Sequence, residues 1–184
     1  MGHVEHRAEA PASVRVYVLT VSDTRTLDTD TGGAAIASLL EEAGHAVAGR
    51  EIVRDEPAEV RAKVGAQLDR DEVQAIITTG GTGISARDTS FEAIDALLEK
   101  RLDGFGELFR MLSYAKIGTS TMQSRALGGV AGGTYLFALP GSTGAVKDAW
   151  DDILVFQLDN RHRPCNLVEL MPRLQEHLKP VTAG

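Results

Sequence analysis

The feature that most limits the fold of this chain is the regular alternation of short β-branched runs with longer segments rich in alanine and leucine. Runs such as RVYVLTV and VQAIITT have strand length and are apolar throughout most of their length, as strands buried on both faces are. Each run ends in a turn-forming segment, and a helical pattern follows. This order predicts right-handed crossover units. We therefore predict an α/β fold, namely a three-layer α/β/α sandwich around a mainly parallel sheet.

The same patterns predict where the elements lie. Strands are expected at residues 15–21, 45–53, 73–79 and 134–139. Thr31 is expected to cap a helix that stops at Gly44, and Pro57 fits the first turn of the next helix, over 58–69. Further helices are predicted over 90–100, 107–116 and 144–159. Residues 126–139 are expected to add a small antiparallel hairpin that turns at Gly132 and Gly133.

Chain length and composition indicate one globular domain. The 184 residues suffice for one full hydrophobic core, and 43% hydrophobic with 24% charged residues is typical of a folded domain. We assign residues 14–172 to this domain, residues 1–13 to a flexible N-terminal tail and residues 173–184 to a C-terminal tail. No apolar run approaches the length that spans a membrane. The only cysteine, Cys165, allows no disulfide within the chain, so we expect a cytoplasmic protein.

The net charge of −7 limits the class of ligand. A general nucleic-acid binder needs a broad basic surface to neutralise phosphates, so we expect no nucleic-acid partner. A small anion needs only a few backbone N–H groups and one or two cations. The charge therefore leaves a small phosphate-bearing ligand open.

Three segments that follow predicted strands have the composition of a phosphate site. Ligands of parallel sheets bind outside the carboxyl ends of the strands. The segment TTGGTG has three glycines in four residues, which lets successive N–H groups approach one anion. A tight turn between strand and helix is the alternative interpretation. The ligand-binding candidates in the three segments are Ser22, Asp23, Thr79, Gly80, Gly81, Thr82, Gly83, Pro140, Gly141 and Ser142.

Two aspartates are the candidates for catalysis and for a metal. Asp55 follows the second predicted strand, and Asp88 follows the glycine loop by five residues. Carboxylates from two loops can share a Mg²⁺ that also contacts phosphate oxygens. The alternative for Asp88 is to cap the helix near Ser90, and surface aspartates in loops are common.

A second group of polar residues is a candidate for a polar ring ligand. Glu107 can accept hydrogen bonds from the N–H groups of a ring such as a pterin, or can merely cap a helix that follows a flexible loop. Ser124 and Arg125 supply a hydroxyl and a cation that can face the same pocket. The five histidines share no spacing typical of metal ligands.

The segments VLTVSD, IITTGGTG, RDTSFEA, GFGELFRMLS, TSTMQSRA and FALPGST together resemble the molybdenum cofactor biosynthesis family that includes MoaB and MogA. The resemblance covers roughly residues 14–170. The stretches FRMLSYAKIGTSTMQSRA and LDNRHRPCN are more similar to the MoaB branch than to the MogA branch. The resemblance implies a three-layer domain that assembles as a trimer, or as a hexamer in the MoaB branch.

The resemblance also implies a reaction. The terminal phosphate of molybdopterin attacks the α-phosphorus of ATP, Mg²⁺ assists, and pyrophosphate leaves. The product serves an enzyme that inserts molybdate or tungstate, which is a further partner. Asp55 and Asp88 match the two aspartates of active members, although this chain has Ser85-Ala86-Arg87-Asp88 where such members often carry Pro-x-Arg-Asp. The alternative is a non-catalytic molybdopterin-binding, regulatory or scaffold protein of the same fold.

Overall fold

A computed structural model of the chain describes residues 10–176. Its centre is one sheet of six strands in the order β2-β1-β3-β6-β5-β4. The strands are β1 (Arg15–Val21), β2 (Ala46–Val53), β3 (Ala75–Thr79), β4 (Lys100–Arg101), β5 (Leu127–Ala131) and β6 (Thr134–Leu139). Strands β2, β1, β3 and β6 run parallel, whereas β5 pairs antiparallel with β6 and β4 pairs antiparallel with β5. The mainly parallel sheet and the hairpin at Gly132 and Gly133 are confirmed.

Helices connect the strands on both faces of the sheet. They are α1 (Thr31–Glu42), α2 (Pro57–Leu68), α3 (Ser90–Asp95), α4 (Asp103–Ile117), α5 (Thr143–Ala149) and α6 (Val155–Gln157). A π-helical segment, Trp150–Leu154, joins α5 to α6, and 3₁₀ helices span Gly118–Gln123 and Val168–Arg173. Within residues 10–176, no helix combines the length and the apolar character needed to cross a bilayer.

The sheet separates two hydrophobic layers, and β1 contributes to both because its side chains alternate. Val16 and Val18 face the layer that α1, α4 and α5 cover, whereas Tyr17 and Leu19 face the layer under α2 and α3. Leu136 of β6 is fully buried in the second layer. A sheet covered on both faces is the three-layer sandwich that the sequence predicts.

Several predicted helix limits are wrong. The helix predicted over 90–100 ends at Asp95, and Lys100 begins the edge strand β4, because Lys100 and Arg101 pair with Val130 and Gly129 of β5. The helix predicted over 107–116 begins earlier, at Asp103. The helix predicted over 144–159 begins at Thr143 and contains the π-helical segment.

The cap of α1 also differs from the prediction. Asp30, not Thr31, is the N-cap residue, and its side chain accepts a hydrogen bond from the Gly33 N–H. Asp30 is almost completely buried, and Thr31 is the first helical residue. The helix ends as predicted beside Gly44, whose φ of 85° lies in the left-handed region that favours glycine.

Parts of both assigned tails contact the domain. The carbonyl of Pro11 accepts a hydrogen bond from the Asn160 side chain, and the Ser13 hydroxyl donates to the Gly44 carbonyl. Leu174 packs against the first hydrophobic layer. Residues 1–9 and 177–184, which make up most of both predicted tails, lie outside the described residues. The domain limits of 14–172 stay a prediction.

Candidate functional site

The candidate site lies where the chain changes direction in the sheet. From β1 the chain crosses to β2 on one side, and β3 then pairs with β1 on the other side. The carboxyl ends of β1 and β3 flank this switch point, which is where ligands of open α/β sheets bind. Gly80 follows β3 with a φ of 100°, and a Cβ there would lie 2.2 Å from the Val21 carbonyl oxygen. Only glycine permits this close approach of the two strand ends.

The loops after β3 and β6 are joined by hydrogen bonds. The Gly80 N–H donates to the Leu139 carbonyl at 3.0 Å, and the Thr79 hydroxyl donates to the Pro140 carbonyl at 3.0 Å. Gly141 lies so close to Gly80 that a Cβ on it would be 3.1 Å from the Gly80 Cα. The structure therefore brings together the predicted residues of these two loops. Ser142 has a structural role as well, since its hydroxyl caps α5.

Asp55 packs against the glycine loop. Its carboxylate is buried, and Oδ1 accepts hydrogen bonds from the Thr89 N–H (3.1 Å) and hydroxyl (2.8 Å). Its Oδ2 lies beside Gly81, where a Cβ would be 2.4 Å away. Burial raises the pKa of Asp55, the hydrogen bonds from Thr89 oppose that shift, and the nearby charges of Asp88 and Asp23 add to it.

Asp88 lies against the same loop from the other end. Its Oδ2 accepts hydrogen bonds from the Ser85 N–H (3.1 Å) and from the Ser85 hydroxyl. A Cβ on Gly83 would be 2.6 Å from that oxygen. Asp88 does not cap α3, because Thr89 occupies the N-cap position there. The two predicted aspartates therefore border two glycines of one loop, Gly81 and Gly83.

Asp23 connects this group to an arginine whose role the sequence analysis missed. The Arg87 guanidinium donates to both carboxylate oxygens of Asp23, at 2.7 and 2.9 Å, and also to Glu56 at 2.7 Å. Asp23 accepts a third hydrogen bond from the Asp55 N–H at 3.1 Å. The bond from Arg87 is the main reason that the pKa of Asp23 is lowered. The position of Arg87 beside Asp88 is the one sequence signal that pointed to it.

Ser22 belongs to the same strand end. Its hydroxyl accepts hydrogen bonds from the Thr24 and Arg25 N–H groups, so it shapes the turn after β1. A cavity of about 420 Å³ borders Ser22 and Asp23. Three arginines contribute to its wall, namely Arg25, Arg50 and Arg54.

The predicted ring-binding residues are only partly brought to the loop. Arg125 donates from Nε to the Thr82 carbonyl at 3.1 Å, and its guanidinium lies 4.4 Å above the centre of the Phe91 ring. Ser124 is half-buried directly before it. Glu107 is exposed on α4, and across residues 10–176 no hydrogen bond or ion pair joins it to the glycine loop. Arg125 therefore supports the loop, whereas Glu107 is not connected to it.

The start of α1 also reaches the site, which the sequence analysis did not predict. A Cβ on Gly32 would lie 3.7 Å from both the Gly141 carbonyl and the Thr79 hydroxyl. The hydroxyls of Thr31 and Thr143 are 3.1 Å apart. The first turn of α1 therefore packs on the loops after β3 and β6.

Asp55 and Asp88 are the residues beside the glycine loop that could hold a metal ion. In the described part of the chain, no cluster of three or more His, Cys, Asp or Glu side chains could hold a metal ion. Mg²⁺ usually keeps several waters and binds one or two carboxylates together with substrate phosphates. Among residues 10–176, Asp55 Oδ2 and Asp88 Oδ1 accept no hydrogen bond, so two carboxylate oxygens beside the glycine loop are free for such an ion.

Comparison with known proteins identifies the family. The model of a domain described as "Probable molybdopterin binding domain" matches residues 17–160. Molybdenum cofactor biosynthesis protein B of Bacillus anthracis is 46% identical over 159 residues, which are 86% of this chain and 94% of that protein. The protein of the same name from Escherichia coli (strain K12) is 47% identical over 152 residues, or 83% and 89% of the two chains.

Solved structures agree in fold. A crystal structure of Molybdenum cofactor biosynthesis protein B superposes with a TM-score of 0.81 at 42% identity and covers 91% of this chain and 99% of that one. The tungsten cofactor synthesizing protein MoaB from Pyrococcus furiosus superposes with a TM-score of 0.71 at 34% identity, over 79% and 92% of the two chains. The chain therefore belongs to the MoaB/MogA family of molybdenum cofactor biosynthesis proteins, in the MoaB branch.

Proposed function

We propose that this protein transfers AMP from ATP to the terminal phosphate of molybdopterin in a Mg²⁺-dependent reaction. The observation that carries the proposal is the pair Asp55 and Asp88, which border Gly81 and Gly83 of one backbone loop at the switch point of the sheet. Phosphoryl-type transfer depends mainly on positioning the reactants and on neutralising charge. The glycine loop would position the reactants, and the two adjacent carboxylates would recruit the ion that neutralises charge.

In the proposed reaction, an oxygen of the molybdopterin phosphate attacks the α-phosphorus of ATP. The bond from that phosphorus to the bridging oxygen breaks, and pyrophosphate leaves with the bonding electrons. In this proposal the backbone N–H groups of residues 81–83 bind phosphate oxygens, since the Gly80 N–H already donates to Leu139, and the loop 140–142 closes the same wall. Asp55 and Asp88 would hold Mg²⁺, which supplies charge neutralisation at the phosphates.

The pterin end of the proposed site is built by a different segment. Ser124 and Arg125 lie on the side of the loop where Arg125 holds the Thr82 carbonyl. In this proposal they bind molybdopterin together with Glu107, which is exposed on α4 and reaches the ligand from that helix. Ser22 and Asp23 complete the nucleotide end. A cytoplasmic location, and delivery of the product to a molybdate-insertion enzyme, are parts of the same proposal.

The experiment measures pyrophosphate release from purified protein, ATP, Mg²⁺ and molybdopterin. We expect release with the natural chain, none with Asp88→Asn and a strong loss with Asp55→Asn. Asp159→Asn is the matched control, since Asp159 pairs with Arg161 at the end of α6. If the natural chain and Asp88→Asn both release nothing while molybdopterin still binds, the transfer proposal is wrong.

A homo-oligomer, as a trimer or a hexamer, is the second part of the proposal. Large apolar side chains are exposed at every third position along α4, namely Leu108, Met111, Tyr114 and Ile117, and Met122 in the following 3₁₀ helix is 79% exposed. Contiguous exposed apolar surface of this kind marks protein interfaces. We expect Met111→Glu to lower the mass found by sedimentation, whereas Met111→Leu keeps it. An unchanged mass for Met111→Glu would contradict an interface on this helix.

A non-catalytic molybdopterin-binding or scaffold protein is the second candidate function. The observation in its favour is that the polar groups around the loop already bind one another: Asp88 is bonded to Ser85, Asp55 to Thr89, and Arg125 to Thr82 and Glu92. If this candidate is correct, a pull-down recovers a protein partner in stoichiometric amount. Substitutions at Asp55 and Asp88 should leave the recovery of that partner unchanged.

A further inference from the structure

An ion pair between a buried aspartate and a half-buried arginine lies behind the start of α1. The Asp30 side chain is 0% exposed and pairs with Arg50 of β2, with 3.2 Å between Oδ2 and Nη2. The same Oδ2 accepts hydrogen bonds from the Thr20 hydroxyl at 2.8 Å and from Arg50 Nε at 3.3 Å. Its Oδ1 caps α1 through the Gly33 N–H at 2.9 Å. One carboxylate therefore links β1, β2 and α1.

Arg50 holds the connection between β1 and α1 in place. Its Nη2 donates to the carbonyl of Leu27 at 2.9 Å and to that of Asp30 at 3.1 Å, in addition to the carboxylate. The fit is close, because a Cβ on Gly33 would be 2.2 Å from Asp30 Oδ2 and 2.5 Å from the Thr20 hydroxyl. The start of α1 is thus fixed by the buried Asp30 carboxylate together with a half-buried arginine.

The element that is held in this way forms one wall of the candidate site. Gly32 faces the Gly141 carbonyl and Thr79, and Thr31 meets Thr143 at the start of α5. A displacement of the first turn of α1 would therefore move the loops after β3 and β6. These are the loops to which the proposed function assigns phosphate binding.

Capping alone does not account for the charged pair. A neutral Ser, Thr or Asn caps a helix about as well as Asp does. The ion pair also adds little net stability over apolar residues of the same size, because the buried Asp30 carboxylate loses its hydration. What the pair with Arg50 adds is a set of directional bonds that fix where α1 begins relative to β1 and β2.

We propose that Asp30 and Arg50 are positioning residues that hold the start of α1 against the phosphate-binding loops of the site. The inference rests on the proposed function in one respect, namely that the ligand carries phosphate. The shared chemistry is a phosphate oxyanion, which ATP and molybdopterin both present. Asp30 is fully buried, so it acts on the ligand only through the start of α1, whereas Arg50 also contributes to the wall of the cavity beside Ser22 and Asp23.

The test measures the dissociation constants of ATP and of molybdopterin by calorimetry, each ligand alone, and then KM and kcat. Asp30→Asn keeps an oxygen for the Gly33 N–H but removes the charge, so we expect binding of at least one ligand to weaken about tenfold. KM should rise by a similar factor while kcat changes less than about twofold, since Asp55 and Asp88 lie on other loops. The ligand whose binding is weakened is the one whose phosphate lies against the start of α1.

Further variants separate positioning from stability. Arg50→Lys keeps the charge and should restore part of the affinity that Arg50→Gln loses. Thr20→Val removes one hydrogen bond to Asp30 at nearly constant volume. The ligand affinities can be measured on this variant if the Asp30 variants do not fold. Asp159→Asn, which breaks an ion pair outside the site, should leave both affinities unchanged.

Two outcomes overturn the inference without touching the proposed function. One is that Asp30→Asn lowers the free energy of unfolding but leaves the affinity for both ligands unchanged. Thr20→Val takes the place of Asp30→Asn in this test if Asp30→Asn does not fold. The other is an equal loss of affinity in Arg50→Lys and Arg50→Gln. If the natural chain binds neither ATP nor molybdopterin, the proposed function itself fails, and the inference fails with it.

Discussion

Substitution of Gly81 by alanine tests whether the glycine loop really requires glycine beside Asp55. Gly81 has a φ of 65°, and left-handed backbone costs an L-residue about 1–2 kcal/mol. The added Cβ would also lie 2.4 Å from Asp55 Oδ2 and 2.6 Å from the Ser90 hydroxyl oxygen. Relieving such overlap in a packed region costs about 1–3 kcal/mol more. We therefore expect Gly81→Ala to lower the free energy of unfolding by about 2–5 kcal/mol.

Gly44→Ala is the matched control, because Gly44 has a φ of 85° and no atom within 4 Å of its added Cβ. It should lose only the backbone part, about 1–2 kcal/mol. Both values come from urea denaturation, with equal m-values as the check that unfolding is two-state. Combining Gly81→Ala with Asp55→Ala should recover the part of the overlap that Asp55 causes, which appears as non-additivity of the two changes. Equal losses for Gly81→Ala and Gly44→Ala would refute the contact between the loop and Asp55.

Two further predictions concern pH and the core. Burial lowers the pKa of His45, and the neutral ring accepts the Val14 N–H at Nδ1. The free energy of unfolding should therefore be highest above the unfolded-state pKa of about 6.5 and should fall as the pH drops towards the folded-state pKa. Denaturation at several pH values measures how the free energy of unfolding changes with pH. His45→Gln should abolish this fall, and a fall that persists in the variant would contradict its assignment to His45. Leu136 is fully buried in the second layer, so Leu136→Ala should lower the free energy of unfolding by about 2–5 kcal/mol. Leu27 is exposed, and Leu27→Ala should lower it by only about 0.5 kcal/mol, both measured by urea denaturation. Equal costs for these two leucines would contradict the burial of β6.

The strands were predictable because their signal is local. The runs at 15–21 and 134–139 coincide with β1 and β6, since β-branched and apolar residues of strand length bounded by turn residues leave few alternatives. The edge strand β4 was not predictable from its own two residues. Lys100 and Arg101 are extended only because β5 offers its free edge to them, and that pairing overrides their helical context.

In the candidate site too, contacts that are local in sequence could be predicted, whereas contacts between distant residues could not. The glycine loop and Asp88 could be found from sequence because they lie within ten residues and share a strand end. The ion pair of Asp30 was missed because its partner Arg50 lies 20 positions further along the chain. Arg87 joins Asp23 across 64 positions, and such a contact follows from the strand order rather than from any local pattern. Glu107 was assigned from its neighbours in sequence, and its place on the exposed face of α4 depends on how that helix packs.

All loops of the candidate site leave the carboxyl edge of the sheet, whereas the turn at Gly44 lies at the amino edge, just before β2. A side chain grafted at Gly44 would meet no neighbouring atom, so that turn offers open space for an inserted peptide. An epitope, a fluorescent reporter or a surface tether can therefore be engineered into this turn. A tether at this position would immobilise the protein with the edge that carries the candidate site turned towards the solution.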